Sequence, residues 1–403
     1  MSGLMLQRLG VVMEPEPGNP QESEGVLNPG AIRGPDGHLY LFPRLVARGN
    51  YSSIGIARVL FNQAGDPSGV ERLGVALQPE AEYELRPEGG GCEDPRITFV
   101  EPLQRYVMTY TANSRNGPRI AVAISEDLFH WERLGLATFA AYQGIDFVRV
   151  DNKDASLFPV AIPNHRGKLQ LGLLHRPLFP GTRPEETAKH ETLMKEPFSQ
   201  PAVSQDAVRI VDVPRESIWI SYCPTPSARR LRLRRWRERL GLFNSHHRLA
   251  APVASWERLK IGGGTPPILT RHGWLILYHG VEQLAQPGSD GRHLLYSAGL
   301  MVLAPERPQV IRYRSPEPVL SPVLPQERSG TVANIVFPTG IDRRDDLGTP
   351  DRFDVYYGMA DDRIGVARLD LPAVLPPGGA TDLTEGAKPP AFSLFGWLIR
   401  RAL

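Results

Sequence analysis

Residues 96–112 read RITFVEPLQRYVMTYTA. A proline, Pro95, leads into a short apolar stretch. A turn follows, then a second stretch rich in aromatic and β-branched residues, the pattern of a β-hairpin. The same order returns in GAIRGPDGHLYLFPRLV after Pro29 and in VAIPNHRGKLQLGLLHR after Pro159. It returns again in ILTRHGWLILYHGV after Pro267 and in TGIDRRDDLGTPDRFDVYYGMA after Pro338. Gly37, Asn164 to Gly167 and His272-Gly273 supply the turn residues that hairpins require. Stretches such as Trp274 to Tyr278 are short and almost wholly apolar, as strands covered on both faces are.

The five prolines are 66, 64, 108 and 71 residues apart. Such intervals suit a four-stranded unit with its loops, and five of them predict an all-β chain folded as a five-bladed β-propeller. An outer hairpin is legible in Ala121 to Asp127 running on to His130-Trp131-Glu132. A β-sandwich is the alternative, but it does not repeat one unit five times. The long interval requires an inserted, partly helical segment, placed at about 178–256. It holds a basic run from Arg229 to Arg239, suited to an anionic partner or to solvent. Residues 1–371 then form a single catalytic domain. Residues 372–403 form a Pro/Gly-rich tail, whose end from Phe392 to Leu403 reads as a short amphipathic segment.

Composition narrows the functional classes. Among 403 residues, 46 Lys and Arg nearly balance 44 Asp and Glu, giving a net charge of +2. No basic excess exists for a nucleic-acid partner. Cys92 and Cys223 are the only cysteines and make no disulfide framework. No signal peptide and no apolar run of about 20 residues is evident, which leads us to expect a cytoplasmic protein without a transmembrane segment. No Cys/His/Asp spacing resembles a metal-ligand set.

Chemistry concentrates near the prolines. Residues 89–96 read GGGCEDPR, where glycines admit a close ligand and Glu93 and Asp94 stand side by side. Two such acids buried together do not both ionise freely, so one is a candidate acid. The bland alternative is a turn whose acids bind Arg96. In residues 151–159, DNKDASLFP, Lys153 suits an anion or a sugar hydroxyl, against the alternative of a surface pair with Asp154. His175-Arg176 ends one strand, Lys260 opens KIGGGTPP, and His279 ends another strand. Basic and imidazole groups meeting on one axis would make an anion pocket. Asp361 follows the aromatic strand of YYGMADD, and Asn28 and Arg44 belong to the first repeat.

Taken together, GCEDPR, NKDASLFP, LHRP, KIGGGTPP, GWLILYHGV and YYGMADD resemble the motifs of glycoside hydrolase family 130, over roughly Asn28 to Asp370. The resemblance implies that Asp94 is the general acid, protonating the leaving oxygen through a sugar hydroxyl. Phosphate then attacks the anomeric carbon of a β-mannoside and α-mannose 1-phosphate leaves with inverted configuration. Phosphate replaces water, so a second catalytic carboxylate is unnecessary. The resemblance implies Asn28, Arg44, Glu93, Arg96, Lys260 and Asp361 for the sugar, and Lys153, His175, Arg176 and His279 for phosphate. It implies no cofactor beyond inorganic phosphate as co-substrate, an oligosaccharide as partner substrate, and scope for a homo-oligomer.

The chain departs from the family in one respect. Lys153 stands where phosphorylases of the family usually have arginine, and Leu169 to Leu173 carries no arginine either. Lysine is a point charge without arginine's fork. An inverting β-mannosidase, with Glu282 as a candidate base, is therefore the alternative. A sugar-binding propeller without catalysis is the third reading.

Overall fold

The computed structural model of the chain describes residues 4–142, 146–147, 150–179, 216–225, 240–284 and 293–379. The basic run 229–239 and the apolar end of the tail lie outside the described residues.

The fold is all-β, with five antiparallel meanders; the repeat proline lies within the first strand of the first, second and fifth, and follows that strand in the third and fourth. The first two meanders are Gly25–Arg33, Leu39–Ala47, Tyr51–Phe61, Pro67–Leu77 and Gly90–Val100, Arg105–Ser114, Gly117–Ser125, Glu132–Leu136. A short parallel contact, Tyr51 with Gly90 and Ser52 with Gly91, joins them into one sheet. The third comprises Asp151–Leu157, Leu169–Leu178, Ile218–Cys223 and Leu242–Ala250, and the fourth Lys260–Gly263, Gly273–Leu284, His293–Ala304 and Arg307–Arg314. The fifth has Val336–Arg343, Arg352–Met359 and Arg363–Asp370, and its outer strand is Gln7–Met13 from the other end of the chain.

These strands place the boundaries of the expected insertion differently. Ile218–Cys223 and Leu242–Ala250 lie within 178–256, yet they are the third and fourth strands of the third meander. Leu242–Ala250 (LFNSHHRLA) reads as polar because it is an outer strand, half-buried along much of its length, and the short apolar Ile218–Cys223 (IWISYC) stands between unlike stretches.

Five apolar cores lie between successive meanders. Phe42 and Ile56 share a core with Ile97 and Met108. Val107 and Val122 share one with Leu171 and Phe243. Ile218 and Leu249 meet Trp274 and Ile276, Leu275 and Leu277 meet Val336 and Val355, and Ile364 and Val366 meet Val26 and Leu41. Side chains alternate across a strand. Trp274 and Ile276 thus face the third meander while Leu275 and Leu277 face the fifth, which is why such strands carry no polar alternation.

A buried clip recurs at the entrances. Glu84 accepts backbone N–H bonds from Glu80 and Ala81, the Tyr110 hydroxyl at 2.5 Å and Arg133 Nε at 2.9 Å. Glu257 accepts from Val253, Ala254, Tyr278 and Arg314, and Glu327 from Val323, Leu324, Tyr357 and Arg8. In the first meander Glu22 takes the Glu16 N–H and Arg72, with Pro43 standing where the tyrosine would be. Each clip fastens an entry turn to the second strand of its meander or to the outermost one. Arg8, on the strand Gln7–Met13, fastens the last sheet in this way.

Candidate active site

The first strands of four meanders shift register near their repeat prolines, between Leu27 and Gly30, Glu93 and Arg96, Lys153 and Ser156, and Pro338 and Gly340. Such a β-bulge re-aims a side chain. Asn28, Asp94 and Asp154 take left-handed backbone there, with φ of 45°, 49° and 56°. Asn and Asp are the non-glycine residues that tolerate this region best.

At the bulge of the second meander, Asp94 Oδ1 accepts Asn28 Nδ2 at 2.9 Å and faces Arg44 Nη1 at 3.4 Å. Both contacts fall on one oxygen. Oδ2 has no hydrogen-bond partner among the described residues, and the side chain keeps 11% of its exposure. Arg44 is itself aimed by Ser52 Oγ at 2.8 Å and Asn50 Oδ1 at 3.2 Å, and its Nη2 reaches Glu93 at 3.3 Å. Glu93 is buried, accepts Asn113 Nδ2 at 2.9 Å and has Lys153 Nζ at 3.6 Å. Burial pushes its carboxyl up, but Arg44 and Lys153 outweigh this and hold it below the ordinary value.

Asp361 completes this half. Burial first, and then the neighbouring Asp94 and Glu93, push its carboxyl up to about 6 against the pull of Arg44 and Lys153. The folded protein therefore holds this proton more tightly than the unfolded chain. The cost of ionising Asp361 is absent below about pH 3.8 and complete above about pH 6, so stability falls as pH rises through that window. Asp361→Asn is expected to stabilise the fold by about 1–3 kcal/mol at pH 7, discounted for partial exposure, while weakening sugar binding. Unfolding midpoints at pH 4 and pH 7 check this, since the gain should vanish at the lower pH.

The second half lies on the third and fourth meanders. Asp154 is buried and accepts Arg176 Nε at 2.5 Å, with His279 Nε2 at 3.8 Å and Arg96 Nη2 at 4.0 Å. Burial would raise its carboxyl, but the Arg176 and Arg96 guanidiniums hold it well below the carboxylate range. Arg176 also pairs with Glu216. His279 is buried, lies against Phe337 at 4.4 Å between centroids, and has no hydrogen-bond partner on either nitrogen. Burial, with Arg176, Lys260 and Arg96 nearby, pushes it down to about 3, so it stands neutral. Lys260 Nζ sits 5.5 Å over the Tyr296 ring, and burial lowers its pKa. Gly262 makes room: a Cβ there would fall 2.2 Å from Asp154 Oδ2 and 2.3 Å from His279 Cε1.

The structure gives several of the expected site residues partners within the protein. Arg96 is one. It is buried, with Nε on the Gly264 carbonyl at 2.9 Å and Nη1 on the Asp94 carbonyl at 2.6 Å, so it ties the Asp94 bulge to the fourth meander. His175 points away from Arg176, as adjacent strand residues do, and both its nitrogens are engaged by Asn152 and Ser221. Lys260 stands with His279 and Tyr296. Arg176 is held between the carboxylates of Asp154 and Glu216. Lys153 pairs with Glu93, which displaces the surface pair with Asp154. Glu282 has no hydrogen bond or ion pair linking it to Asp94. Asn113, Asp154 and Glu216 were missed as orienting groups. Only Asp154, adjacent to Lys153, carried a signal. No group of three or more His, Cys, Asp or Glu among the described residues could hold a metal.

One aimed carboxyl group thus stands in a polar cradle, and a basic group with an unpartnered imidazole lies on the third and fourth meanders. The family model described as beta-1,4-mannooligosaccharide phosphorylase matches residues 5–177 and 216–376, and the chain belongs to this family, glycoside hydrolase family 130. It is 29% identical over 367 residues to a 1,2-beta-oligomannan phosphorylase of Thermoanaerobacter sp. (strain X514), covering 89% of this chain and 95% of the relative. It is 35% identical over 125 residues to a beta-1,4-mannooligosaccharide phosphorylase of Ruminococcus albus, covering 31% of this chain and 35% of that one. A solved structure of beta-1,2-mannobiose phosphorylase from Listeria innocua shares the fold, with a TM-score of 0.60 at 20% identity over 91% of this chain and 96% of that one.

Proposed function

We propose that the protein is an inverting phosphorylase of β-mannosides that releases α-mannose 1-phosphate. The observation that carries this is Asp94, with Oδ1 gripped by Asn28 and Arg44 and Oδ2 open, beside Glu93 with its Lys153, while Arg96 runs from the Asp94 carbonyl toward Asp154 and His279. Asp94 delivers the proton to the leaving oxygen by way of a sugar hydroxyl. Asn28, Arg44 and Asp361 bind the mannose ring. Lys153, Lys260 and His279 receive phosphate, and Asp154 and Glu216 orient Arg176 at their edge. A phosphate dianion beside His279 would favour its protonated form and gain a charge-assisted bond. The phosphorylase relatives support the reaction class.

The deciding test is incubation with β-1,2- and β-1,4-mannobiose, with and without inorganic phosphate, separating mannose from mannose 1-phosphate. Phosphate-dependent mannose 1-phosphate is expected. Free mannose at the same rate without phosphate would make the enzyme a β-mannosidase. Lys153→Ala should raise the KM for phosphate about tenfold or more, as loss of a charged hydrogen bond does. An unchanged value would remove Lys153 from that role.

The five meanders are, in this reading, the blades of a five-bladed β-propeller. Five cores in cyclic order and the closing strand Gln7–Met13 support it. The whole of residues 1–371 would then act as one catalytic unit. A cytoplasmic location is consistent with two buried, unpaired cysteines. No helix among the described residues is long and apolar enough to cross a membrane.

A further inference from the structure

On the second strand, Tyr110 stands opposite the bulge of the second meander, Tyr278 pairs with Gly263 in the fourth and Tyr357 with Pro338 in the fifth, each on a clip glutamate. In the third meander His175 stands opposite the bulge, and its partners are of another kind. His175 Nδ1 is 3.1 Å from Asn152 Oδ1, and Nε2 is 2.6 Å from Ser221 Oγ. Ser221 Oγ is 2.8 Å from His246 Nδ1, and His246 Nε2 is 3.0 Å from the Ala140 carbonyl.

The far end fixes the direction of every proton. The Ala140 carbonyl only accepts, so His246 donates from Nε2 and accepts at Nδ1. Ser221 then donates to His246 and accepts from His175 Nε2. Burial, and His246 nearby, hold His175 well below its ordinary pKa, so it is neutral and its Nδ1 is an acceptor. Asn152 must therefore turn its amide nitrogen to His175, exchanging Nδ2 for Oδ1, an end-for-end choice that the hydrogen-bond order settles. Phe139 and Phe147 pack on the two imidazoles and keep the chain of bonds dry.

Asn152 needs such an anchor. Its ladder partner is Pro177, which has no N–H to give. The next residue is Lys153, and the one after it, Asp154, holds Arg176.

We propose that His175 is a positioning residue for the phosphate side of the site. The sequence of bonds from Ala140 through His246, Ser221 and His175 fixes the Asn152 side chain and with it the bulge that sets Lys153 and Asp154. A clip of the kind used elsewhere would place a buried carboxylate against this position, one ladder residue from Arg176, where it would oppose an incoming phosphate. Neutral histidines and a serine give the same order without that charge. The proposal rests on the phosphorylase reading.

The test compares wild type, His175→Phe, His175→Asn and Ser221→Ala on the mannobiose that the wild type cleaves, varying phosphate and sugar separately. Stabilisation by inorganic phosphate is read beside it from the thermal midpoint. His175→Phe should raise the KM for phosphate about tenfold, leave the KM for the sugar within about twofold, and lose most of the phosphate-induced shift. His175→Asn, whose amide stands near the place of Nδ1, should recover most of the effect. Ser221→Ala should fall between, and these two variants carry the test if the phenylalanine variant does not fold. Equal phosphate KM in all four proteins would overturn the proposal. So would a parallel fall in every kinetic parameter that asparagine does not rescue. A wild type that needs no phosphate would instead overturn the phosphorylase reading itself.

Discussion

Asp94→Asn should lower kcat for mannobiose phosphorolysis by about 10²- to 10⁴-fold, the usual worth of a positioned general acid. Asparagine keeps an oxygen where Oδ1 accepts Asn28 and meets Arg44, so the bulge and the sugar cradle survive. What disappears is the proton on the open side. The KM for the sugar should change little, and synthesis from mannose 1-phosphate should fall in the same proportion, because both directions share one transition state. The folded protein should not suffer. Arg44 still has Glu93, Ser52 and Asn50. Unchanged turnover in a well-folded Asp94→Asn protein would place the acid elsewhere.

Glu257→Ala should be the most damaging change to stability away from the site, costing about 3–5 kcal/mol. Its carboxylate is fully buried and takes two backbone N–H groups, the Tyr278 hydroxyl at 2.5 Å and Arg314 Nη2 at 2.7 Å. Truncation takes the carboxylate acceptor from all of them, and the buried Arg314 guanidinium loses its counter-charge while keeping the Ala251 carbonyl at 2.9 Å. The denaturant midpoint should fall while the KM for phosphate holds in the folded fraction. A double change of Glu257 to Ala and Arg314 to Met should recover a large part of the loss, because a well-packed apolar replacement of a buried ion pair is often neutral. A single variant as stable as wild type would show that the clip adds nothing to the packing of Trp256 and Tyr278 around it.

Much of this molecule was readable along the chain. Proline-led apolar hairpins marked strands in every meander, and the turn residues stood where the hairpins turn, although the first strands Asp151–Leu157 and Lys260–Gly263 lie before their prolines. The polar residues nearest the prolines supplied Asn28, Arg44, Asp94, Lys153, His279 and Asp361. The outer strands were less legible. Ile218–Cys223 and Leu242–Ala250 are separated from their meander by chain of unlike composition, and Gln7–Met13 pairs with Arg363–Asp370 across nearly the whole sequence. The glutamates of the clips were not singled out, because Glu22, Glu84, Glu257 and Glu327 read as surface acids until their partners are known.

The sequence by itself determined which residue types stand at the mouth of each meander, since a hairpin's length and its turn are local properties. Only the tertiary structure decided where those side chains go. A bulge of one residue reverses the face of everything beyond it, and the partner that permits the bulge is on another strand. That is why Asp94 opens to the site while Arg96, two residues on, is used on the carbonyls of Asp94 and Gly264. Arg176 and His175, neighbours in the chain, serve opposite faces of one strand by ordinary alternation, and only the strands around them decide that the first meets Asp154 and the second Ser221.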